Sequence, residues 1–460
     1  MDKAFDELMA VRGLGELTEK VTVTGHDPVL STRFKLGETA AAIMAAIGVA
    51  VNDLWELKTG RRQNIDIDVQ HAAAALRSYV YLNIDNEQAK EEWRRQRGRQ
   101  GISTPHPTKD GRYFLPHVGL PHLAERVLSV LKCDFDSDAI IEAVSRWNAL
   151  ELEEAIAEVK ACGAMVRTAQ EWAEHPQGQT LHSKPVIEII KIGDSEPEPM
   201  PEGARPLEDI RVLDLTRILA GPTCARTLAE HGADVLMVGA EHLPQSQHFV
   251  MDTSHGKRTT FLDITKPEEN DRLRDLVKGA DVFSQGYRTD ALANKGFSPE
   301  QLAEVRPGII YTSMNSYGFD GPWKDRAGWE QLAQAVTGIA AEHGRQRPTL
   351  LPAAASDYST GYLGAYGTLL ALALRARQGG SWHVRASLCQ SGMFLYRQER
   401  VDYDDEAMDI SRKALNDISI ITDTPYGKMT HLGPILGLSE TPPKWTLPSS
   451  PLGTHEAVWL

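Results

Sequence analysis

The run Ser356-Asp357-Tyr358-Ser359-Thr360-Gly361 places a carboxylate at the head of a stretch that reads as one long helix. Gly361, Gly364, Ala365 and Gly367 follow within three turns, and Leu369, Leu370, Leu372 and Leu374 then make it apolar. A helix N-terminus carries about half a positive charge and unpaired N–H donors, so an acid there is held ionised and in a fixed place. The small residues let a ligand or another backbone come close. On this segment alone, the commoner meaning of such an acid is an N-cap on a buried helix. Further candidates are cationic or aromatic residues at expected strand ends: Arg217, Lys257, Arg258, Tyr287 and Arg288. These types bind phosphate and stack on bases, although each also serves as an ordinary surface or packing residue.

The elements that position these residues follow from pattern. From Arg211 onward, short apolar runs alternate with helical periods: strand 211–216, helix 223–231, strands 234–238 and 259–264, helix 267–278, strands 281–285 and 308–313. That alternation predicts an α/β fold with a doubly wound, Rossmann-like parallel sheet. In such a sheet, ligands bind outside the carboxyl ends of the strands. No G-x-G-x-x-G, Walker loop, G-x-S-x-G or H-E-x-x-H is present. Residues 105–192 predict a smaller α/β unit with a hairpin at 109–114 and helices at 121–132, 136–147 and 150–161. The expected organisation is a helix–strand unit over 1–100, a small domain over 101–193, a linker over 194–206, a large domain over 207–395 and an extended tail over 396–460.

The helix beginning at Asp357 has a copy near the start of the chain. A shift of 319 residues carries Glu38 onto Asp357, Gly48 onto Gly367, Lys58 onto Arg377 and Gly60 onto Gly379. A strand follows each copy, at 64–69 and 383–388. One helix–turn–strand module is therefore used twice. Glu38 stands where the other copy has Asp357, and the longer side chain argues for a structural first copy.

Composition bounds the rest. The 460 residues, 42% hydrophobic and 24% charged, are those of an ordinary globular protein. A net charge of −14 disfavours nucleic acid as a partner. No apolar run was long enough to suggest a membrane span, and the charged N-terminus is unlike a secretory signal. Four scattered cysteines favour a reducing, cytoplasmic setting over disulfides or a metal site.

The motifs LEDIRVLDLTRILAGP (207–222), HGADVLMV (231–238), HGKRTTFLDI (255–264), GADVFSQGYR (279–288), IIYTSMNSYGFDGP (309–322), AGWEQLAQAVTG (327–338) and the run 355–388 closely resemble the class III CoA-transferases of CaiB/BaiF type. Residues 34–192 resemble the back part of the same module, through DGRYFLPH (110–117), CGAMVRTAQEWAEHPQ (162–177) and KPVIEI (184–189). The resemblance implies an acyl-CoA:carboxylate CoA-transferase working by a ping-pong route through an aspartyl anhydride and an aspartyl-CoA thioester. Asp357 would be the nucleophile, Glu330 a supporting acid, and N–H groups at the helix start would stabilise the oxyanions. Arg217, Lys257, Arg258, Tyr287 and Arg288 would contact coenzyme A; the other partner would be a small carboxylic acid. No metal is implied. An interlocked homodimer is implied by the family.

Two other readings stay open: a racemase- or lyase-type variant acting on acyl-CoA, and a CoA-binding pseudoenzyme. Related racemases carry Gly-His-Asp where this chain has Gly328-Trp329-Glu330. Tryptophan transfers no proton at neutral pH, which favours transfer over epimerisation. The family's Glu-Asn-Phe-Arg-Pro-Gly is Gln285-Gly286-Tyr287-Arg288-Thr289-Asp290 here.

Overall fold

The structure is a computed structural model that describes residues 2–87, 90–91, 101–403 and 408–460. The expected boundary after residue 100 abuts residues 92–100, which lie outside the described residues. Seven strands form the main sheet: β1 (Glu188–Gly193), β2 (Arg211–Asp214), β3 (Asp234–Gly239), β4 (Lys257–Phe261), β5 (Val282–Gln285), β6 (Ile310–Asn315) and β7 (Ser381–Ser387). Their order is β4-β3-β2-β5-β6-β7-β1. All neighbours are parallel except β7 and β1. Strands such as Val212–Asp214 and Val282–Gln285 are buried throughout, as helices on both faces require. The chain runs outward from β2 through β3 to β4, then returns to add β5 on the other side of β2. That reversal opens a crevice at the carboxyl ends of β2 and β5.

The helices that matter are α1 (Leu36–Thr59), α2 (Val69–Ala75), α3 (Ala220–Glu230), α4 (Glu330–Val336), α5 (Ala355–Gln378) and α6 (Leu388–Tyr396). The repeat is kept element by element. A shift of 319 carries Leu36 onto Ala355, Thr59 onto Gln378 and Val69 onto Leu388, the first residues of α2 and α6. Asp68 caps α2 and its counterpart Ser387 caps α6, each through its side chain. The interior glycines also match. A Cβ on Gly48 would stand 2.9 Å from Ile65 Cγ2, and one on Gly367 2.6 Å from Val384 Cγ1. Each helix therefore lies against the strand that follows it at a distance only glycine permits.

Helices α1, α3 and α5 share one apolar core with β2, β5, β6 and β7. The sequence expectation of no membrane-length apolar segment needs correcting here. α1 is long and apolar enough to cross a bilayer, but from Leu36 to Trp55 every residue except Glu38 is buried in this core. Apolarity reflects its place between α5 and the strand Ile65–Asp68 rather than contact with lipid.

The smaller unit has its own core, built on Phe114, Val127, Ile140, Val144, Leu152 and Ile156. A second cluster joins it to the main body, with Leu115, Leu123 and Trp172 packed among Leu332, Val336, Leu388 and Met393. The segment after residue 396 is less extended than its composition suggested. It contains a helix (Arg412–Ile418) and a hairpin (Ser419–Thr424 with Gly427–Leu432) before it runs back along the sheet. Gly256 N–H donates to Leu447 O in that return.

Candidate active site

The turn leaving β2 forms one wall of the crevice. Asp214, at the end of β2, accepts from Thr216 N–H at 3.0 Å and from the Thr216 hydroxyl. Two residues on, Ile218 is held at φ 71°. A β-branched residue in that region is strained, and such strain persists only where the surroundings impose it. A Cβ on Gly221 would lie 2.2 Å from Thr216 Cβ, so the glycine is what lets α3 start so tightly against the turn. On the next helix, a Cβ at Gly361 would lie 2.4 Å from Ala220 O, which brings the head of α5 against this same turn.

Asp357 sits in the first turn of α5 and is 8% exposed. Glu330, the first residue of α4, reaches across to cap α5. Its Oε1 accepts from Ser356 N–H at 3.1 Å and its Oε2 from Asp357 N–H at 2.6 Å. Gln334 Nε2 donates to Oε1 at 2.6 Å, while Gln334 Oε1 accepts from Leu351 N–H at 2.8 Å. Glu330 is thus fixed on all sides. The N–H groups of Ser356 and Asp357, expected to stabilise oxyanions, are occupied by this cap. The carboxyl of Asp357 has no hydrogen-bond partner among the described residues and faces the crevice.

The two acids influence each other. Burial raises the Glu330 pKa to about 7, against the hydrogen bonds it accepts. Burial, and then the charge of Glu330, push Asp357 well above the usual carboxylate range. Glu330 has three donors to hold its charge and Asp357 has none, so the proton the pair keeps belongs on Asp357.

Asp357, Glu330, Arg217, Tyr287 and Arg288 all line one cavity of ≈ 500 Å³. Arg217 donates to Pro244 O, and burial lowers its pKa. Lys257 and Arg258 are elsewhere. Lys257 is fully buried, with Nζ 2.8 Å from both Asp214 Oδ2 and Pro222 O. Arg258 is paired with Asp234 at 2.9 Å and donates to Val458 O at 2.5 Å. Both cations are consumed in holding strands and tail together, so neither is available to a ligand. Sequence reading placed them at a strand end, but they begin the edge strand β4 rather than finish it, and neither lines the cavity.

Some of the residues that sequence reasoning missed come from the other half of the chain. Leu120, His122, Leu123 and Cys162 of the small domain close the cavity over α3 and α5. Their signal was the resemblance of residues 34–192 to the back part of the module. Trp329 also lines the cavity and stacks on His117 with ring centroids 4.3 Å apart. Gly328 is required beside it, since a Cβ there would meet Ser316 Oγ at 2.2 Å. Among the described residues no cluster of potential metal ligands is found.

The sequence model of CoA-transferase family III matches residues 3–196 and 207–427. The chain belongs to CoA-transferase family III. It is similar to the acetyl-coenzyme A transferase nodX of Hypoxylon pulicicidum, 28% identical over 431 residues, which are 84% of this chain and 73% of that protein. It is also similar to an acyl-CoA transferase of Gibberella moniliformis, 30% identical over 421 residues, covering 82% and 74%. The beta subunit of the succinyl-CoA–L-malate CoA-transferase of Chloroflexus aurantiacus is 33% identical over 204 residues, covering 40% of this chain and 50% of that one. Among solved structures, a CaiB/BaiF family protein from Brucella suis is 29% identical with a TM-score of 0.39, over 42% of this chain and 55% of that chain. As a family III CoA-transferase the protein is an enzyme, and CoA is a substrate of its class.

Proposed function

We propose that this family III enzyme moves CoA from an acyl-CoA to a small carboxylic acid through covalent intermediates on Asp357. The observation that carries the proposal is the Asp357 carboxyl, which faces the cavity with no hydrogen-bond partner among the described residues while Glu330 fixes its backbone. In the first step the Asp357 carboxylate adds to the thioester carbonyl and CoA thiolate leaves, giving a mixed anhydride. The thiolate then attacks the aspartyl carbonyl, releasing the first carboxylate and forming an aspartyl-CoA thioester. The acceptor carboxylate displaces the thiolate to form a second anhydride, and the thiolate takes the new acyl group and frees Asp357. Every bond made is matched by one broken, and no redox partner is needed.

The relatives named for acetyl-CoA, acyl-CoA and succinyl-CoA–malate transfer support this reading. Arg217 and Arg288 lie at the crevice where a pyrophosphate is expected, and the Tyr287 ring is available for stacking. With Trp329 stacked on His117, that position supplies no proton-transfer group for racemisation. A reducing cytoplasm suits the four free cysteines, three of them buried.

The test is chemical trapping. Incubation with a panel of acyl-CoAs, quenching with hydroxylamine or borohydride and peptide mass spectrometry are expected to find modification at Asp357. It disappears in Asp357→Asn. CoA binding without any adduct across the panel would leave a CoA-binding pseudoenzyme, and α-deuterium exchange without adduct would leave a racemase-type enzyme.

A further inference from the structure

The cavity has a second lobe on the face of the sheet opposite α5. Residues of β6 and β7 that touch α5 are Thr312, through its hydroxyl 2.8 Å from Thr368, Met314 against Gly364, and Val384 against Gly367. Alternation along a strand sends their neighbours Ser313, His383 and Arg385 to the other face. Tyr311 marks that face, donating to Phe297 O at 2.9 Å and meeting the His383 ring edge-on at 5.2 Å. Ser313, His383 and Arg385 nevertheless line the same cavity as Asp357. The cavity therefore passes over the strand ends from one face to the other.

Hydrogen bonds fix these groups in a chain. Gln285 Nε2 donates to Ser313 Oγ at 3.2 Å, and Ser313 Oγ lies 2.7 Å from His383 Nε2. Arg385 Nε donates to His383 Nδ1 at 3.4 Å, so the imidazole is an acceptor at Nδ1 and its hydrogen is on Nε2. Burial, then Arg385, holds the His383 pKa near 3, which agrees with the neutral ring. Ser313 Oγ thus accepts twice and has its own hydrogen to give. Arg385 lies 5.3 Å above the Phe319 ring, and no carboxylate among the described residues is within ion-pair distance of its guanidinium. A half-buried cation with an oriented hydroxyl beside it matches a terminal oxyanion. At the equivalent positions of the first copy, Arg385 is replaced by Asp66 and His383 by Asn64.

We propose that Arg385 and Ser313 form a subsite for a terminal oxyanion of the acyl-CoA substrate, remote from the reacting carbonyl. This rests on the acyl-CoA reading above. Two sources carry that chemistry: the 3′-phosphate at the nucleotide end of CoA and a second carboxylate on the acyl chain. The placement favours the phosphate. β7 is two strands from β5, about 10 Å at the usual strand spacing, and lies across the sheet from Asp357. CoA is long enough to span that path.

Calorimetric binding to the full chain, which needs no turnover, separates the possibilities. CoA is compared with dephospho-CoA, and succinyl-CoA with butyryl-CoA, on the native protein, Arg385→Gln, Arg385→Lys and Asp357→Asn. A phosphate subsite makes CoA bind at least about tenfold tighter than dephospho-CoA. Arg385→Gln erases that preference while leaving dephospho-CoA affinity intact, Arg385→Lys restores part of it, and Asp357→Asn keeps it. Loss of a succinyl preference instead assigns the subsite to a carboxylate. If CoA binds and Arg385→Gln moves neither ratio, the subsite is refuted while the acyl-CoA reading stands. If none of the CoA species binds, both fall.

Discussion

At two places the chain puts an acid in the first turn of the same helix–strand–helix module, and the surroundings decide what each acid does. The correspondence extends to the cap. Asp27 Oδ1 accepts from Gly37 N–H at 3.2 Å and Oδ2 from Glu38 N–H at 2.7 Å. Glu330 does the same for Ser356 and Asp357, the residues 319 positions later. The flanking acids then diverge. Glu38 binds Lys35 at 3.1 Å, and although burial opposes it, that contact leaves the Glu38 pKa below its usual value. Asp357 has no paired cation among the described residues and is pushed the other way by burial and by Glu330. Glu38 borders a cleft of ≈ 150 Å³ and Asp357 a cavity of ≈ 500 Å³. The strand after α1 belongs to a three-stranded sheet with no reversal point, while the strand after α5 belongs to the seven-stranded sheet. An acid at a helix start becomes a reaction centre only where a crevice opens before it and no cation neutralises it.

The largest test of that contrast removes each acid in turn. Asp357→Asn keeps the shape and removes the nucleophile, and transfer is expected to fall by roughly 10⁴-fold or more, as for other covalent enzymes. Glu38→Gln is expected to change steady-state rates by less than about twofold, since Glu38 touches nothing in the cavity. A tenfold loss in the second variant would mean that both copies work.

Next in size is the pH dependence. Glu330 holds the proton on Asp357, so the nucleophilic carboxylate forms only above the ordinary carboxylate range. The acid limb of kcat/KM is expected to lie well above pH 4, and Glu330→Gln to move it down by about one unit or more, the size of a like-charge effect. Asp27→Asn leaves the limb in place. The same pair sets a stability trend. A buried acid whose folded pKa lies above its unfolded value favours folding most at low pH. That stability is lost as pH rises from about 4.5 through about 7 for Glu330. Asp357→Asn is therefore expected to raise the melting temperature at pH 8 and to leave it unchanged at pH 4.

Much of this contrast was legible in the chain itself. The 319-residue shift, the alternation from Arg211 to Ser313 and the Asp-to-Glu change are local patterns, and local patterns survive without coordinates. Lys257 and Arg258 were misread because a basic pair at a strand terminus looks alike at either end of the strand. Only the topology shows that they start β4, where Asp214 and Asp234 neutralise them. Asp27 was invisible for a different reason: its capping role depends on a loop that brings it ten residues back against α1. Arg385 and His383 fall in the strand 383–388 that the sequence predicts, and their shared face becomes meaningful only once β6 lies beside β7.

The packing of the two helices offers a mid-sized test. Gly48→Ala and Gly367→Ala place a Cβ at 2.9 Å from Ile65 and 2.6 Å from Val384. Both are expected to destabilise the fold by about 1–3 kcal/mol in denaturant titrations, the usual range for overpacking. Equal costs would show that the module is held the same way in both places. A cost confined to Gly367 would show that α1 has slack that α5 lacks.

The smallest expected effect addresses the comparison most directly. Glu38→Asp gives the first copy the same acid as the second, with a cap already supplied by Asp27. If the identity of the acid were what silences that copy, trapping with acyl-CoA would now label position 38. The surroundings argue against it. Lys35 remains to neutralise the carboxylate, the adjoining cleft is small, and no turn like Thr216–Leu219 faces it. The expected outcome is no adduct at position 38, unchanged labelling at Asp357 and a transfer rate within experimental error of the native enzyme. Pairing the change with Lys35→Met removes that cation as well, and labelling is still expected to be absent, because a carboxylate without a crevice has no thioester to attack.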